Sequence, residues 1–226
     1  MHIFSILKLI HRRSKQEKKF NFENCEIFNS FFPFQWKYFI KNNVKIDLDI
    51  KIKKELEIEG DYFLFASARM ALYYFLVHLK FINRPYVAVQ SFTCGVVVNA
   101  IIRAGYIPLY LDIDENTLGT SFEDFKVLTK KYKNLIAAII VQHSFGLPAD
   151  VDKIVEFSKK ENIYVIEDCA TTLGSYLGEK LCGNFGDASI WSFDYTKPLS
   201  IGNGGMLTVI NKKISKNISK NYQNLP

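Results

Sequence analysis

Four polar clusters of the chain hold residues that could bind and react with a charged small molecule. Three of them stand at the ends of apolar segments: SFTCG (91–95), EDCATTLGS (167–175) and SFDYTK (192–197). The fourth, ASAR (66–69), is a turn that precedes a strongly helical segment. The backbone N–H groups and the positive dipole end of such a helix start would suit a phosphate.

Lys197, Asp168 and the helix start after Ser67 are together the parts needed to hold pyridoxal phosphate. The lysine would form an imine with the cofactor, the carboxylate would pair with its pyridinium nitrogen, and the helix start would take its phosphate. Protonation of that nitrogen makes the ring an electron sink. The clusters therefore predict a cofactor site if the fold brings them to one edge.

Each of these residues also has a simpler structural interpretation. Asp168 could cap the following turn, Ser192 could be an ordinary strand hydroxyl, and Lys197 could extend its ammonium group to solvent. His143, just past an apolar segment, is expected to be a structural imidazole rather than a catalyst. The glycines of GNGG (202–205) could form only a tight turn, and they do not make the GxGxxG dinucleotide motif.

The segments that would position the clusters alternate between strands and helices. Apolar runs predict strands at 86–90, 108–114, 135–142, 163–168, 188–193 and 206–210. Apolar residues at helical spacing predict helices at 67–81, 95–105, 121–132 and 149–162. Strands that are apolar throughout indicate an α/β three-layer sandwich, in which a mainly parallel sheet is covered on both faces. Ligands of such sheets bind beyond the carboxyl ends of the strands.

Composition is that of a globular protein, with 226 residues, 48% of them apolar and 23% charged. The net charge of +6 comes largely from two lysine- and arginine-rich runs, at 11–19 and 211–220. Such runs are usually solvated faces, so we expect no nucleic-acid partner.

The first residues, MHIFSILKLIHRR, are not expected to form a targeting signal, because the apolar stretch is short and its positive charges follow it. No uncharged apolar run approaches the roughly 18–20 residues of a membrane-spanning helix. We therefore expect a cytoplasmic protein without a membrane span. The four cysteines are scattered without a CxxC pair, so neither a metal site nor a disulfide framework is predicted.

A family resemblance rests on EDCATTLGSYLGEKLCGNFGDASIWSFDYTKPLSIGNGGMLTV (167–209), together with the segments 89–119 and 141–170. These residues are similar to the DegT–DnrJ–StrS sugar aminotransferases, which are fold-type-I enzymes that depend on pyridoxal phosphate. The match covers roughly residues 62–210, and it combines ED-C-A, G-x-x-GD, SF-x-x-x-K and G-x-GG in the family's order and spacing. The resemblance implies the large domain of the aspartate-aminotransferase-like fold.

The resemblance also implies a role for each matched residue. Lys197 would carry the cofactor as an imine and shuttle the proton, and Asp168 would pair with the pyridine nitrogen. Ser192 would bind the cofactor phosphate, together with the backbone N–H groups of Arg69 and Met70.

Two residues depart from the family's pattern. Thr171 stands where the family usually has glutamine, which hydrogen-bonds the phenolic oxygen of the cofactor. Threonine is shorter, so it would reach that oxygen only through a water or with a shifted ring. Leu173 stands where many members have histidine.

The activity implied is a ping-pong transamination from glutamate to a nucleotide-linked keto sugar, for cell-surface polysaccharide or a related glycan. Family members form dimers and continue past the G-x-GG strand into a smaller C-terminal domain, which this chain is expected to lack. The expected organisation is an N-terminal arm (1–60), the cofactor-binding core (61–210) and a C-terminal stub (211–226). Either a homodimer or a second chain would complete the site. A non-catalytic or incomplete partner subunit that keeps the fold remains the alternative.

Overall fold

A seven-stranded sheet forms the centre of the computed structural model, which describes residue 54 and residues 56–79 and 83–222. Its strands are β1 (Asp61–Phe65), β2 (Tyr86–Gln90), β3 (Ile107–Leu111), β4 (Ile136–Gln142), β5 (Tyr164–Asp168), β8 (Ala188–Ser192) and β9 (Gly205–Val209). Two short strands, β6 (Tyr176–Leu177) and β7 (Lys180–Leu181), pair separately. The sheet order is β1-β9-β8-β5-β4-β2-β3, and β9 runs antiparallel to both of its neighbours.

Helices cover both faces of the sheet. They are α1 (Ala68–Leu79), α2 (Gly95–Arg103), α3 (Phe122–Tyr132), α4 (Val151–Glu161) and α5 (Lys212–Tyr222). Side chains of α1, α2 and α5 share one apolar cluster with the sheet, and those of α3 and α4 share a second cluster. We call these the first face and the second face. The predicted three-layer α/β sandwich with a mainly parallel sheet is therefore confirmed.

Strand β4 shows why the strands are apolar throughout. Ala138 and Ile140 belong to the cluster on the first face, while Ile139 and Val141 belong to the cluster on the second. Successive side chains of a strand point to opposite faces, so a strand covered on both sides needs an apolar residue at every position.

Helix ends follow the predicted signals. The hydroxyl of Ser121 accepts the N–H of Asp124 (3.2 Å), and that of Ser67 accepts the N–H of Met70 (3.4 Å). Both serines thus satisfy a donor in the first turn of a helix, as the sequence indicated. At the other end of α2, the chain leaves the helix through Gly105, whose φ of +87° favours glycine.

Two elements of the sheet region were not predicted from the sequence. Strand β1 pairs with β9, and helix α5 buries Ile214 and Ile218 in the cluster on the first face. The hydroxyl of Tyr222 donates to the carbonyl of Leu64 (2.6 Å) and accepts the N–H of the same residue (3.1 Å). The lysine-rich run at 211–220 is solvated as expected, but its isoleucines attach it to the core.

The predicted N-terminal arm lies almost wholly outside the described residues, as do residues 80–82 at the end of the first predicted helix. Among the helices that the structure describes, none is long and apolar enough to cross a membrane.

Candidate cofactor-binding site

Asp168 ends strand β5 with its carboxylate on the first face. It lies opposite Ile190 of β8, a member of the cluster on that face, and its residue is only 6% exposed. The carboxylate accepts the N–H of Ala170 (3.0 Å). Burial raises the pKa of the Asp168 carboxyl, while that N–H and the positive charge of Lys197 counteract part of the effect. A buried carboxylate of this kind favours a cationic partner.

Lys197 lies in the turn that follows β8, at the same edge of the sheet. Its backbone N–H donates to the carbonyl of Asp194 (2.9 Å), which holds the turn. Lys197 is half-buried, and within the described residues its ammonium group makes no hydrogen bond or ion pair, although its charge acts on Asp168. The predicted lysine and carboxylate therefore lie at the same edge of the sheet, where the charge of Lys197 offsets part of the rise that burial causes in the pKa of the Asp168 carboxyl.

Gly205, which has no side chain, allows Ser192 to lie beside the start of helix α1. Gly205 pairs with Ser192 on one side and with Phe65 on the other. A Cβ atom on Gly205 would lie 2.2 Å from the backbone nitrogen of Ala68 and 2.2 Å from the carbonyl carbon of Ser67. Only glycine permits this approach of strand and helix. Directly opposed residues of antiparallel strands share a face, so Ser192 faces the helix start.

The two backbone donors predicted for a phosphate differ in their surroundings. The N–H of Met70 is bonded to Ser67, to the carbonyl oxygen at 3.1 Å and to the hydroxyl at 3.4 Å. The N–H of Arg69 has no partner among the described residues. Of the two predicted donors, only the N–H of Arg69 is therefore free among the described residues.

Thr171 lies in the loop after Asp168, and its side chain is exposed. Its hydroxyl donates to the carbonyl of His143 (3.2 Å), beside the hydroxyl of Thr172, which donates to the same oxygen (2.6 Å). The donor hydrogen of Thr171 is therefore engaged within the protein.

Behind Asp168, on the second face, Glu167 forms a hydrogen-bonded pair with His143. The carboxylate of Glu167 accepts the imidazole Nε2–H (3.1 Å), and both residues are fully buried. The other imidazole nitrogen, Nδ1, accepts the N–H of Ala149 (3.1 Å), which places the ring proton on Nε2. The prediction of a structural imidazole is confirmed.

Glu167 was not singled out from the sequence. Besides the imidazole, its carboxylate accepts three backbone N–H groups, from Gly183 (2.6 Å), Phe185 (2.7 Å) and Gly186 (2.7 Å). The sequence offered one signal for this role. Glu167 stands at the end of a predicted strand, and the glycine-rich loop GNFG (183–186) could supply backbone N–H donors to its carboxylate.

One group of potential metal ligands occurs among the described residues: His143, Glu167 and Cys169, with ligand atoms within 4.8 Å of one another. Both imidazole nitrogens and both carboxylate oxygens are already hydrogen-bonded. Burial raises the pKa of the Cys169 thiol well above its ordinary value, which disfavours the thiolate that metals bind. Hydrogen bonding accounts for this cluster without a metal ion.

The residues on the first face fit pyridoxal phosphate in their chemistry. Lys197 offers a free amine for an aldehyde, and Asp168 offers a buried carboxylate for a protonated ring nitrogen. Ser192 and the free N–H of Arg69 offer donors for a phosphate at a helix start that Gly205 holds close to the sheet. All four lie at the carboxyl ends of the parallel strands or next to them.

Comparison with known proteins gives one consistent result. The model of the DegT/DnrJ/EryC1/StrS aminotransferase family matches residues 63–223. The chain is 36% identical over 149 residues to GDP-perosamine synthase of Escherichia coli O157:H7, covering 66% of this chain and 40% of that protein. It is 34% identical over 121 residues to dTDP-4-dehydro-2,3,6-trideoxy-D-glucose 4-aminotransferase of Saccharopolyspora spinosa, covering 53% and 30%.

Among solved structures, a DegT DnrJ EryC1 StrS aminotransferase from Brucella abortus superposes with a TM-score of 0.70 at 26% identity. The superposition covers 77% of this chain and 48% of that one. The predicted aspartate-aminotransferase-like fold is therefore confirmed. The chain spans less than half the length of each of these three proteins.

Proposed function

The chain belongs to the DegT/DnrJ/EryC1/StrS aminotransferase family, and we propose that it binds pyridoxal 5′-phosphate and acts in transferring an amino group to a sugar. The resemblance recognised in the sequence is thus confirmed at the level of the family. The proposal rests on the buried carboxylate of Asp168, whose pKa is raised by burial and lowered in part by the charge of the Lys197 amine, which is unpaired within the described residues. Both lie at the same edge of the sheet as the start of helix α1, which Gly205 allows to approach the sheet.

Each residue on the first face has a proposed task. Asp168 would hold the ring nitrogen of the cofactor in its protonated form, because a buried carboxylate is stabilised by a cation. Ser192 and the N–H groups of Arg69 and Met70 would bind the phosphate, with Arg69 as the free donor. Thr171 would contribute at the rim of the site, where its hydroxyl oxygen can still accept a hydrogen bond.

When bound, the protonated pyridine ring supplies an acceptor for the electron pair that is left when a substrate carbon loses its proton. Lys197 would attach the cofactor through its Nζ and carry the proton that moves during transamination. Burial of Asp168 among apolar side chains of the first face would keep water from weakening its interaction with the ring.

The proposed substrates are a nucleotide-linked keto sugar as the acceptor and glutamate as the donor. The names of the two relatives support the acceptor class, since they refer to a GDP-sugar and a dTDP-sugar. We further propose a place in cell-surface polysaccharide or related glycan synthesis, in the cytoplasm. A homodimer or a second chain would complete the site.

The test is spectroscopic and uses the full chain. With pyridoxal phosphate added, the protein is expected to develop the visible absorbance of a lysine-bound cofactor, and glutamate is expected to convert it to the spectrum of pyridoxamine phosphate. Lys197→Ala should lose both signals. Lys197→Arg is the matched control, because it keeps a positive charge near Asp168 but cannot bond to the aldehyde.

Two other outcomes would change the assignment. A protein that takes up no pyridoxal phosphate would refute the proposal of a cofactor site. A coloured protein that glutamate and other amino acids never convert would instead favour a non-catalytic member of the family that retains the cofactor platform.

A further inference from the structure

His143 forms hydrogen bonds with residues before and after Asp168 and with Asp168 itself. Its imidazole donates to Glu167, and its backbone N–H donates to the carbonyl of Asp168 itself (3.2 Å). Its own carbonyl accepts the hydroxyls of Thr171 (3.2 Å) and Thr172 (2.6 Å). One residue at the end of β4 therefore restrains the whole strand end that carries the candidate carboxylate.

Glu167 extends the same restraint to strand β8. The three N–H groups that its carboxylate accepts belong to the loop 183–186, which leads directly into β8. That strand ends at Ser192 and is followed by the turn with Lys197. Glu167 thus connects the strand that bears Asp168 with the strand that ends at Ser192 and precedes Lys197.

The pair is fully satisfied and fully buried. Four N–H donors face the carboxylate of Glu167, which is the complement that an ionised carboxylate needs away from water. A satisfied buried network rigidifies its surroundings, whereas the loss of one member leaves the other groups unpaired. Its position behind the site, rather than in it, means that it cannot contact a ligand on the first face.

We propose that the buried His143–Glu167 pair is a positioning device that holds the Asp168 carboxylate in place for the ring nitrogen of the cofactor. The positioning is a property of the chain itself, and its consequence for the cofactor rests on the proposed function. His143 and Glu167 are positioning residues, because they act on the ligand only through Asp168.

Two substitutions of His143 separate the two hydrogen bonds of its ring. His143→Gln places an amide N–H near the position of Nε2, so that the bond to Glu167 can be kept while the acceptor for Ala149 is lost. His143→Asn does the reverse. Glu167→Gln removes the charge at constant size and sets an amide NH₂ against N–H donors. Thr129→Val is the control, since it removes a buried hydroxyl that donates to the carbonyl of Phe125 (2.9 Å) within helix α3 and has no hydrogen bond to the network.

The first measurement needs no cofactor. Hydrogen–deuterium exchange of the full chain would follow residues 164–172, where the N–H of Cys169 is bonded to Ile190 (2.9 Å) and that of Thr172 to Cys169 (3.1 Å). We expect faster exchange of this segment in Glu167→Gln and His143→Asn, near wild-type exchange in His143→Gln, and no segment-specific change in Thr129→Val. Equal exchange in all four variants would overturn the positioning role.

The second measurement is the dissociation constant of pyridoxal phosphate, from an absorbance titration. At metal sites, loss of a hydrogen bond that supports a ligating side chain weakens binding roughly 10–100-fold, and we take the same range for the support of Asp168. We expect a loss of that size in Glu167→Gln and His143→Asn, and a partial rescue in His143→Gln. Wild-type affinity in folded Glu167→Gln would refute the link to the cofactor. If the wild-type chain itself binds none, the proposed function fails, and the exchange experiment still decides the positioning.

Discussion

At the scale of residues, two adjacent carboxylates have opposite surroundings. Glu167 points to the second face and is bonded to four N–H donors, whereas Asp168 points to the first face and accepts a hydrogen bond from Ala170. Because successive side chains of a strand alternate, the dipeptide sends one carboxylate to a structural network and the other to the candidate site. The second is the one left to interact with a ligand.

This difference predicts how Asp168 affects stability. Burial raises the pKa of Asp168 in the folded protein, so the folded state holds this proton more tightly than the unfolded chain. The stability that this tighter proton binding contributes is fully present at pH values below the ordinary aspartate pKa. It is lost as the pH rises through the raised pKa of the folded protein. We expect Asp168→Asn to have a higher free energy of unfolding than wild type near neutral pH, with the difference vanishing in acid.

Urea unfolding of the cofactor-free chain at several pH values would measure this, with Glu115→Gln, an exposed carboxylate, as the control. The same Asp168→Asn protein should bind pyridoxal phosphate more weakly. If Asp168→Asn is less stable than wild type at neutral pH, the buried Asp168 carboxylate does not destabilise the folded protein as expected.

At the scale of elements, the junction of β9 with α1 sets the place of the helix start. Gly202 and Gly204 have positive φ angles (+93° and +148°), so the tight-turn interpretation of GNGG holds for them. Gly205 has a different role, because it touches the backbone of Ser67 and Ala68. The contact is between backbones, so a side chain cannot be accommodated by a change of rotamer.

We therefore expect Gly205→Ala to destabilise the protein by about 1–3 kcal/mol, the usual cost of overpacking, and to move the helix start away from Ser192. Denaturant unfolding would measure the first effect, and the affinity for pyridoxal phosphate the second. Gly95→Ala is the matched control, because no atom lies within 4 Å of its added Cβ. Wild-type stability in Gly205→Ala would show that the junction is looser than the structure indicates.

At the scale of the whole molecule, one cluster on the first face joins elements from both ends of the described chain. Phe63 of β1 and Ile218 of α5 belong to it together with α1 and α2. Helix α5 also contacts the edge strand through Tyr222, which bonds both backbone groups of Leu64. The segment after residue 210 is therefore part of the folded body that carries the site.

Ile218→Ala tests this, because Ile218 is fully buried. We expect a loss of about 2–5 kcal/mol in the free energy of unfolding, through lost burial and the cavity left behind. Lys216→Ala, on the exposed side of the same helix, should change stability by less than about 0.5 kcal/mol. Equal effects of the two substitutions, measured by urea unfolding, would argue that α5 is not packed on the core.

The sequence by itself determined the alternation of strands and helices, the fold class and the family. It also predicted Lys197, Asp168 and Ser192 as candidate site residues, because ligand-binding residues of a parallel sheet stand at predictable strand ends. These properties depend on the spacing of residues within short segments, which the sequence shows directly. Strand β1 was missed because it is only five residues long, and helix α5 because its apolar residues are few. Both are recognisable only from their packing in the fold, where β1 pairs with β9 and α5 joins the cluster on the first face.

Only the tertiary structure decided which residues support the site. The loop 183–186 binds Glu167 of the neighbouring strand 16 to 19 residues earlier, and Gly205 meets a helix start more than one hundred residues earlier in the chain. Contacts between segments so distant in sequence leave no periodic pattern, because they depend on how strands are ordered in the sheet. The candidate reactive side chains could be predicted from individual residues of the sequence. The contacts that hold them in place could be seen only in the packed structure.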